Sequence, residues 1–207
     1  MKNIEILVSD KLIPYESALK FMEERINHVK EKKSKELIWF LEHPSIYTSG
    51  RGNYVDVKYI NNIPVYNTGR GGKITWHGPG QKIFYFVIDL SKRDKDIRKF
   101  VNIIENIILD SLKEYKINAF ADRKNVGIWV KKKNKIIKLA AIGIKVKKWV
   151  AYHGFSINMD NNLQNYKKII PCGIRNRGVT NLLEIKKQNF KNFEKIIIKN
   201  FLRYLKS

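Results

Sequence analysis

The only thiol in the sequence is Cys172, set between Pro171 and Gly173 in "IIPCGIRNRG". A lone cysteine usually packs as a small apolar residue. Here Pro171 fixes the entering chain, Gly173 leaves the sulfur open to approach, and Lys168, Arg175 and Arg177 make the surroundings electropositive. These features favour an exposed thiolate. A thiol of ordinary pKa, about 8.5, is only a few per cent ionised at neutral pH, so a nucleophile needs an activating partner. His77 and His153, each followed by glycine, are candidates, whereas His28 belongs to the surface of a helix. Lys138, in "KIIKLAAIGIKV", is another. Strand alternation by itself turns it outward, to the face opposite Ile137 and Leu139. If it meets the thiol, lowering the thiol pKa by two units corresponds to about 2.7 kcal/mol of charge stabilisation.

A glycine-rich stretch, "NTGRGGKITWHGPGQ" at 67–81, leads directly into the apolar run "KIFYFVIDL". It is not a phosphate loop: Asn67 stands where the first glycine of that motif belongs, and Ile74 follows the lysine. The dinucleotide pattern fails too, at Ile74 and at Val55. What remains is a backbone that can approach a ligand at Gly69, Gly71 and Gly72, with Arg70 and Lys73 as cationic donors for a carbonyl, carboxylate or phosphate. A tight turn with solvated charges fits the same residues.

One cysteine excludes an internal disulfide framework, and four histidines without H-x-H or H-x-x-x-H spacing argue against a metal site. The net charge of +22 favours an acidic partner. The lysines are spread along the chain, however, and the densest run, "KKKNK" at 131–135, has the form of a solvated hairpin turn, so neither a nucleic acid nor a membrane is the expected partner. No segment approaches the roughly 20 apolar residues of a membrane span, and the start lacks a signal peptide, which leads to the expectation of a cytoplasmic protein.

These groups need elements to position them. Leu19, Met22, Ile26 and Val29 mark an amphipathic helix over 15–33, and Phe100, Ile103, Ile104, Ile107, Ile108, Leu112 and Tyr115 mark another over 96–116. A third helix covers 192–207. "ELIWFLEH" and "KIFYFVIDL" read as strands, and residues 125–158 as consecutive strands broken at Gly143 and Gly154. No linker divides the chain, so residues 1–207 are expected to form one α+β domain with a mixed, largely antiparallel sheet flanked by helices.

Five motifs in order, "EHPSIYTSGRG" at 42–52, "RGGKITWHGPGQ" at 70–81, "KLAAIG" at 138–143, "YHGFSIN" at 152–158 and "PCG" at 171–173, resemble the lipoyl(octanoyl) transferases, the lipoate-protein ligase B family. The resemblance implies the scaffold shared with biotin and lipoate ligases. It implies transfer of an octanoyl group from octanoyl-acyl carrier protein to a lysine on the lipoyl domains of 2-oxoacid dehydrogenase and glycine-cleavage subunits. In that scheme Cys172 carries the acyl thioester and Lys138 lowers its pKa and shuttles protons. Arg70, Gly71, Gly72, Lys73, Ile74, Thr75, Trp76 and His77, then Ala141, Ile142 and Gly143, then Gly154, Phe155 and Ser156, line the acyl pocket. Backbone N–H groups around Gly71, Gly72 or Gly143 would hold the developing oxyanion, and Leu139, Ile142 and Phe155 the tail.

The implied enzyme needs no cofactor and works as a monomer. Trp76 stands where Tyr or Phe is expected and Ala141 where Ser is frequent, which bears on chain-length preference. Rival readings are an ATP-dependent lipoate or biotin ligase on the same scaffold, an acyltransferase acting on an already lipoylated protein, and a basic nucleic-acid-binding domain.

Overall fold

The computed structural model describes residues 4–52, 54–169 and 177–205. In chain order these form β1 (Ile4–Leu12), α1 (Tyr15–Lys30), β2 (Glu36–Glu42), β3 (Ile46–Ser49), β4 (Tyr59–Ile60), β5 (Ile63–Asn67), β6 (Thr75–His77) and β7 (Gln81–Asp89). There follow α2 (Ile97–Glu114), β8 (Ala119–Ala121), β9 (Ile128–Lys132), β10 (Lys135–Lys147), β11 (Val150–Asn158), α3 (Leu182–Ile185) and α4 (Phe193–Tyr204). Seven strands make one sheet in the order β1-β2-β7-β11-β10-β9-β8, and β4-β5-β3-β6 make a second. Only β1 with β2 and β3 with β5 run parallel, so the sheets are mixed and largely antiparallel, as expected.

The central strands are apolar on both faces because both faces are covered. Leu37, Trp39 and Leu41 of β2 with Ile83, Tyr85 and Val87 of β7 meet Ala18, Met22, Ile26 and Val29 of α1. The alternate residues Ile38, Phe40, Phe84, Phe86 and Ile88 face α2 and α4 on the other side. There Phe84 stacks on Phe155 at 4.6 Å between ring centroids and meets Phe40 edge-on at 4.8 Å. Asp96 caps α2 by accepting a hydrogen bond from the Lys99 amide, which stops the helix one residue short of the expected start.

Three two-residue hairpins close with both residues at positive φ: Asn61–Asn62, Lys133–Asn134 and Lys148–Trp149. The second is the lysine-rich turn expected from the sequence. The third replaces the breaks expected at Gly143 and Gly154, since β10 and β11 run straight through both glycines. Those glycines face each other across the pair, and a Cβ on Gly154 would stand 1.9 Å from the Phe84 carbonyl oxygen. They are there for close approach.

β10 carries one irregularity that decides the site. Lys138 is opposite Trp129 but Ala140 is opposite Ile128, so Leu139 is an extra residue. Alternation breaks, and Lys138, Leu139 and Ala140 are all buried in succession. The outward lysine expected from period-two spacing is therefore an inward one, 6% exposed.

Gly154→Ala should destabilise the fold by at least about 1–3 kcal/mol, the cost of forcing atoms into a packed site. Gly71→Ala, whose Cβ would meet only Ile144 O at an ordinary 3.4 Å, should stay within about 1 kcal/mol of the parent. Urea unfolding of the two variants checks both.

Candidate functional site

A cavity of about 410 Å³ opens beside β10. The glycine loop reaches it because Gly50 presses against that loop: a Cβ on Gly50 would lie 2.3 Å from Gly72 O. The Arg51 and Gly52 amides donate to Arg70 O and Gly72 O, at 3.0 and 3.3 Å. On the other side Gly71 N donates to Ile144 O at 3.0 Å, which ties the loop to β10. That amide is committed to the sheet and is not a free oxyanion donor, contrary to expectation.

Of the fourteen pocket residues expected, twelve line this cavity: Arg70, Gly71, Gly72, Lys73, Thr75, His77, Ala141, Ile142, Gly143, Gly154, Phe155 and Ser156. Lys138 lines it too. Ile74 and Trp76 do not; they are buried with Tyr47 and Tyr166 in a separate small cluster under the second sheet. Leu139 packs in the main core with α2 and α4. Sequence reading missed Tyr15, Ile83, Tyr85, Val101, Ile144 and the turn Lys124–Val126, which complete the walls. Those residues come from elements whose periodicity reports burial, not which buried residue meets a cavity. Cys172 lies outside the described residues.

The loop is held by a buried polar chain. The Arg70 guanidinium, 8% exposed, donates to the carbonyls of Thr48, Gly71 and Lys73 and to the Thr48 hydroxyl. With Arg70 filling a lone pair of Thr48, that hydroxyl donates to His77 Nε2 at 3.1 Å, and His77 Nδ1–H donates to Gln81 Oε1 at 2.6 Å. Gln81 Nε2 passes the direction on to Asn158 Oδ1 at 2.8 Å and Tyr166 OH at 2.6 Å. Asn158 Nδ2 ends it at the Thr180 carbonyl, 3.0 Å away. These tautomers follow from the partners present. Arg70 is thus the anchor of its own loop.

A second relay joins Ile13, His43 and Tyr85. The Ile13 carbonyl can only accept, so His43 Nδ1 carries the proton and its Nε2 accepts from Tyr85 OH at 2.8 Å. Tyr85, which lines the cavity, thus has its hydroxyl proton already committed to His43. Burial pushes the Tyr15 phenol up to about 12, opposed by the nearby Arg70 charge.

Lys138 Nζ donates to the Val126 carbonyl at 3.1 Å and sits 4.8 Å from the centroid of the Trp129 ring. Its backbone pairs with the segment that follows the cysteine motif: Lys138 N donates to Gly178 O and Thr180 N donates to Lys138 O, both at 2.9 Å. Among the described residues, no three His, Cys, Asp or Glu side chains gather at one point as a metal cage does.

The family profile described as the lipoyl protein ligase A/B catalytic domain matches residues 14–202. The chain belongs to that family. An octanoyltransferase of Bartonella bacilliformis is 42% identical over 192 residues, covering 88% of this chain and 80% of the relative. Two solved structures share the fold at low identity. A bi-partite lipoate protein ligase from Thermoplasma acidophilum superposes with a TM-score of 0.73 at 14% identity, covering 99% of this chain and 84% of that one. The biotin protein ligase of Aquifex aeolicus follows at 0.51 and 14% identity, covering 99% and 68%. Lipoate and biotin ligases are the relatives of scaffold that the motifs implied.

Desolvation holds the three buried histidines of this ligase-family fold neutral. His43 is lowered to about 4, and His77 and His153 to about 3, with like-charge neighbours adding to the effect for the latter two: His43 and Arg70 at His77, Arg70 and Lys145 at His153. In the unfolded chain each titrates near 6.5. Between pH 6.5 and 4 the unfolded state therefore binds more protons, and stability falls as pH falls. Each histidine removes up to about 2 kcal/mol at pH 5 relative to pH 7.5. Urea unfolding at the two pH values should show that loss, and His77→Gln should flatten the slope.

Proposed function

We propose that this octanoyltransferase-family protein moves an octanoyl group from the thioester of octanoyl-acyl carrier protein to a lysine of a lipoyl domain, through a thioester on Cys172. The observation that carries the reading is Lys138: a buried ammonium at the wall of a glycine-lined cavity, its backbone bonded to the extended segment Gly178–Thr180. Six residues of chain separate Cys172 from Gly178, at most about 21 Å, a length that allows the thiol to reach the cavity.

In the first step the Cys172 thiolate attacks the octanoyl carbonyl. A new C–S bond forms, the carrier thiolate leaves, and Lys138 as the ammonium gives it a proton. In the second step the acceptor amine attacks the Cys172 thioester, the amide C–N bond forms, and the cysteine thiolate departs. The proton shed by the amine returns to the neutral Lys138. The donor is already activated, so ATP has no part in it. Ile142 and Phe155 offer the acyl tail apolar surface, worth about 0.8 kcal/mol per buried methylene.

The +22 charge supports an acidic carrier as donor through electrostatic steering. Among the described residues no helix is long and apolar enough to cross a membrane. Action in the cytoplasm, as a monomer, on 2-oxoacid dehydrogenase and glycine-cleavage lipoyl domains belongs to the same proposal.

Intact-protein mass measurement after incubation with octanoyl-acyl carrier protein and no ATP tests it. One octanoyl adduct is expected, cleaved by hydroxylamine and absent in Cys172→Ala, with Lys138→Ala slowed by orders of magnitude. Transfer that persists in Cys172→Ala and requires ATP would instead establish a ligase of the lipoate or biotin type.

A further inference from the structure

Lys138 is placed by neighbours that the reaction scheme leaves unused. Asp122, in the turn between β8 and β9, accepts from Lys124 N at 2.9 Å and Asn125 Nδ2 at 3.0 Å, and pairs with Arg177 Nη1 at 2.6 Å. The Arg177 guanidinium lies 4.8 Å from the centroid of the Trp129 ring, the same ring that Lys138 Nζ approaches at 4.8 Å. The indole is fixed in its plane by Trp129 Nε1 donating to Asn125 O at 2.9 Å. Gly127, at φ +134°, brings the turn so close that a Cβ there would lie 3.0 Å from Lys138 Cε.

We propose that Asp122 and Arg177 are positioning residues for Lys138: their ion pair clamps the turn and the Trp129 ring into the cradle that aims the lysine ammonium along the cavity wall. Hydrogen bonds to Asp122 from Asn125 and Arg177 hold its carboxyl well below the usual carboxylate range, which keeps the clamp charged throughout the working range. The clamp also joins the two flanks of the lysine. Asp122 and Val126 belong to the turn before β9, whereas Arg177 directly precedes the Gly178–Thr180 stretch bonded to the Lys138 backbone. The charged groups facing this region are Asp122 and Lys124 from the turn, Glu105 of α2 through the Gly127 amide, Lys73 from the glycine loop and Arg177. Asp122 is the carboxylate that contacts Arg177.

The inference rests on the proposed Lys138–Cys172 pair, and the test separates the two. The full-length variants Asp122→Asn, Arg177→Met, Arg177→Lys and Lys138→Met are compared with the parent for steady-state transfer and for the pH dependence of Cys172 alkylation by iodoacetamide. Asp122→Asn and Arg177→Met should lose about tenfold to a hundredfold in kcat with little change in the KM for the octanoyl donor. Their alkylation midpoints should move toward the ordinary thiol value, about 8.5, as in Lys138→Met. Arg177→Lys should recover part of both effects, because it restores the charge but not the planar stack over the indole.

Asp110→Asn, which breaks a distant pair with Arg203, serves as the control and should move neither readout. Latch variants whose kcat and alkylation profile superpose on the parent, while Lys138→Met differs, overturn the positioning role alone. A parent and Lys138→Met that alkylate identically overturn the lysine–thiol pair and the latch with it.

Discussion

Everything at the site hangs from one directional hydrogen-bond chain. It begins at the Arg70 guanidinium, runs through Thr48, His77, Gln81 and Asn158, and ends on the carbonyl of Thr180. Each group donates forward and accepts from behind, so no member can reverse without leaving a neighbour unpaired. In a dry interior an unpaired polar group costs about 1–3 kcal/mol. The chain crosses both sheets, and its far end is the residue whose amide bonds to Lys138 O. The glycine loop and the lysine are thereby held in one frame although they lie on different sheets.

The composition of that chain also explains why it can be buried. It contains a single formal charge, on Arg70, whose donors are shared among three carbonyls and a hydroxyl. The histidines are neutral, which spares the fold the large desolvation penalty of buried imidazolium. His43 and His77 therefore serve as dipoles whose tautomers their hydrogen-bond partners fix, and positive charge is presented by lysines: Lys138 at the wall, with Lys73 and Lys124 around it. This division suits a site that stabilises negative charge on sulfur or oxygen without itself carrying a pool of titrating groups near neutrality.

Much of this was legible in the sequence. The helices showed through their three- and four-residue apolar spacing, and the sequence motifs singled out most of the cavity wall. The failures have local causes. β1 and the second sheet escaped because their strands are short or half exposed, with no clean alternation to mark them. The Lys148–Trp149 hairpin was hidden because it places ordinary side chains, in the absence of glycine, at left-handed backbone angles. Gly143 and Gly154 looked like interruptions because a glycine's role in letting another backbone approach depends on a partner far along the chain, here Arg70 and Phe84. Ile74 and Trp76 lie within a motif whose other members reach the cavity, yet alternation on β6 and the fit against Tyr47 turn them the other way.

The extra residue at Leu139 gives the site an unusual kind of heritability. The inward aim of Lys138 is stored as a residue count in β10, opposite two adjacent residues of β9, and not in the identity of any single side chain. Substitutions around it can drift, since Ile, Leu and Val all satisfy a buried strand. A one-residue deletion in the same place would restore perfect alternation, a more regular sheet by every local measure, and would swing the lysine to the opposite face. Lineages of this fold should therefore tolerate changes of letter through β10 far more readily than changes of length.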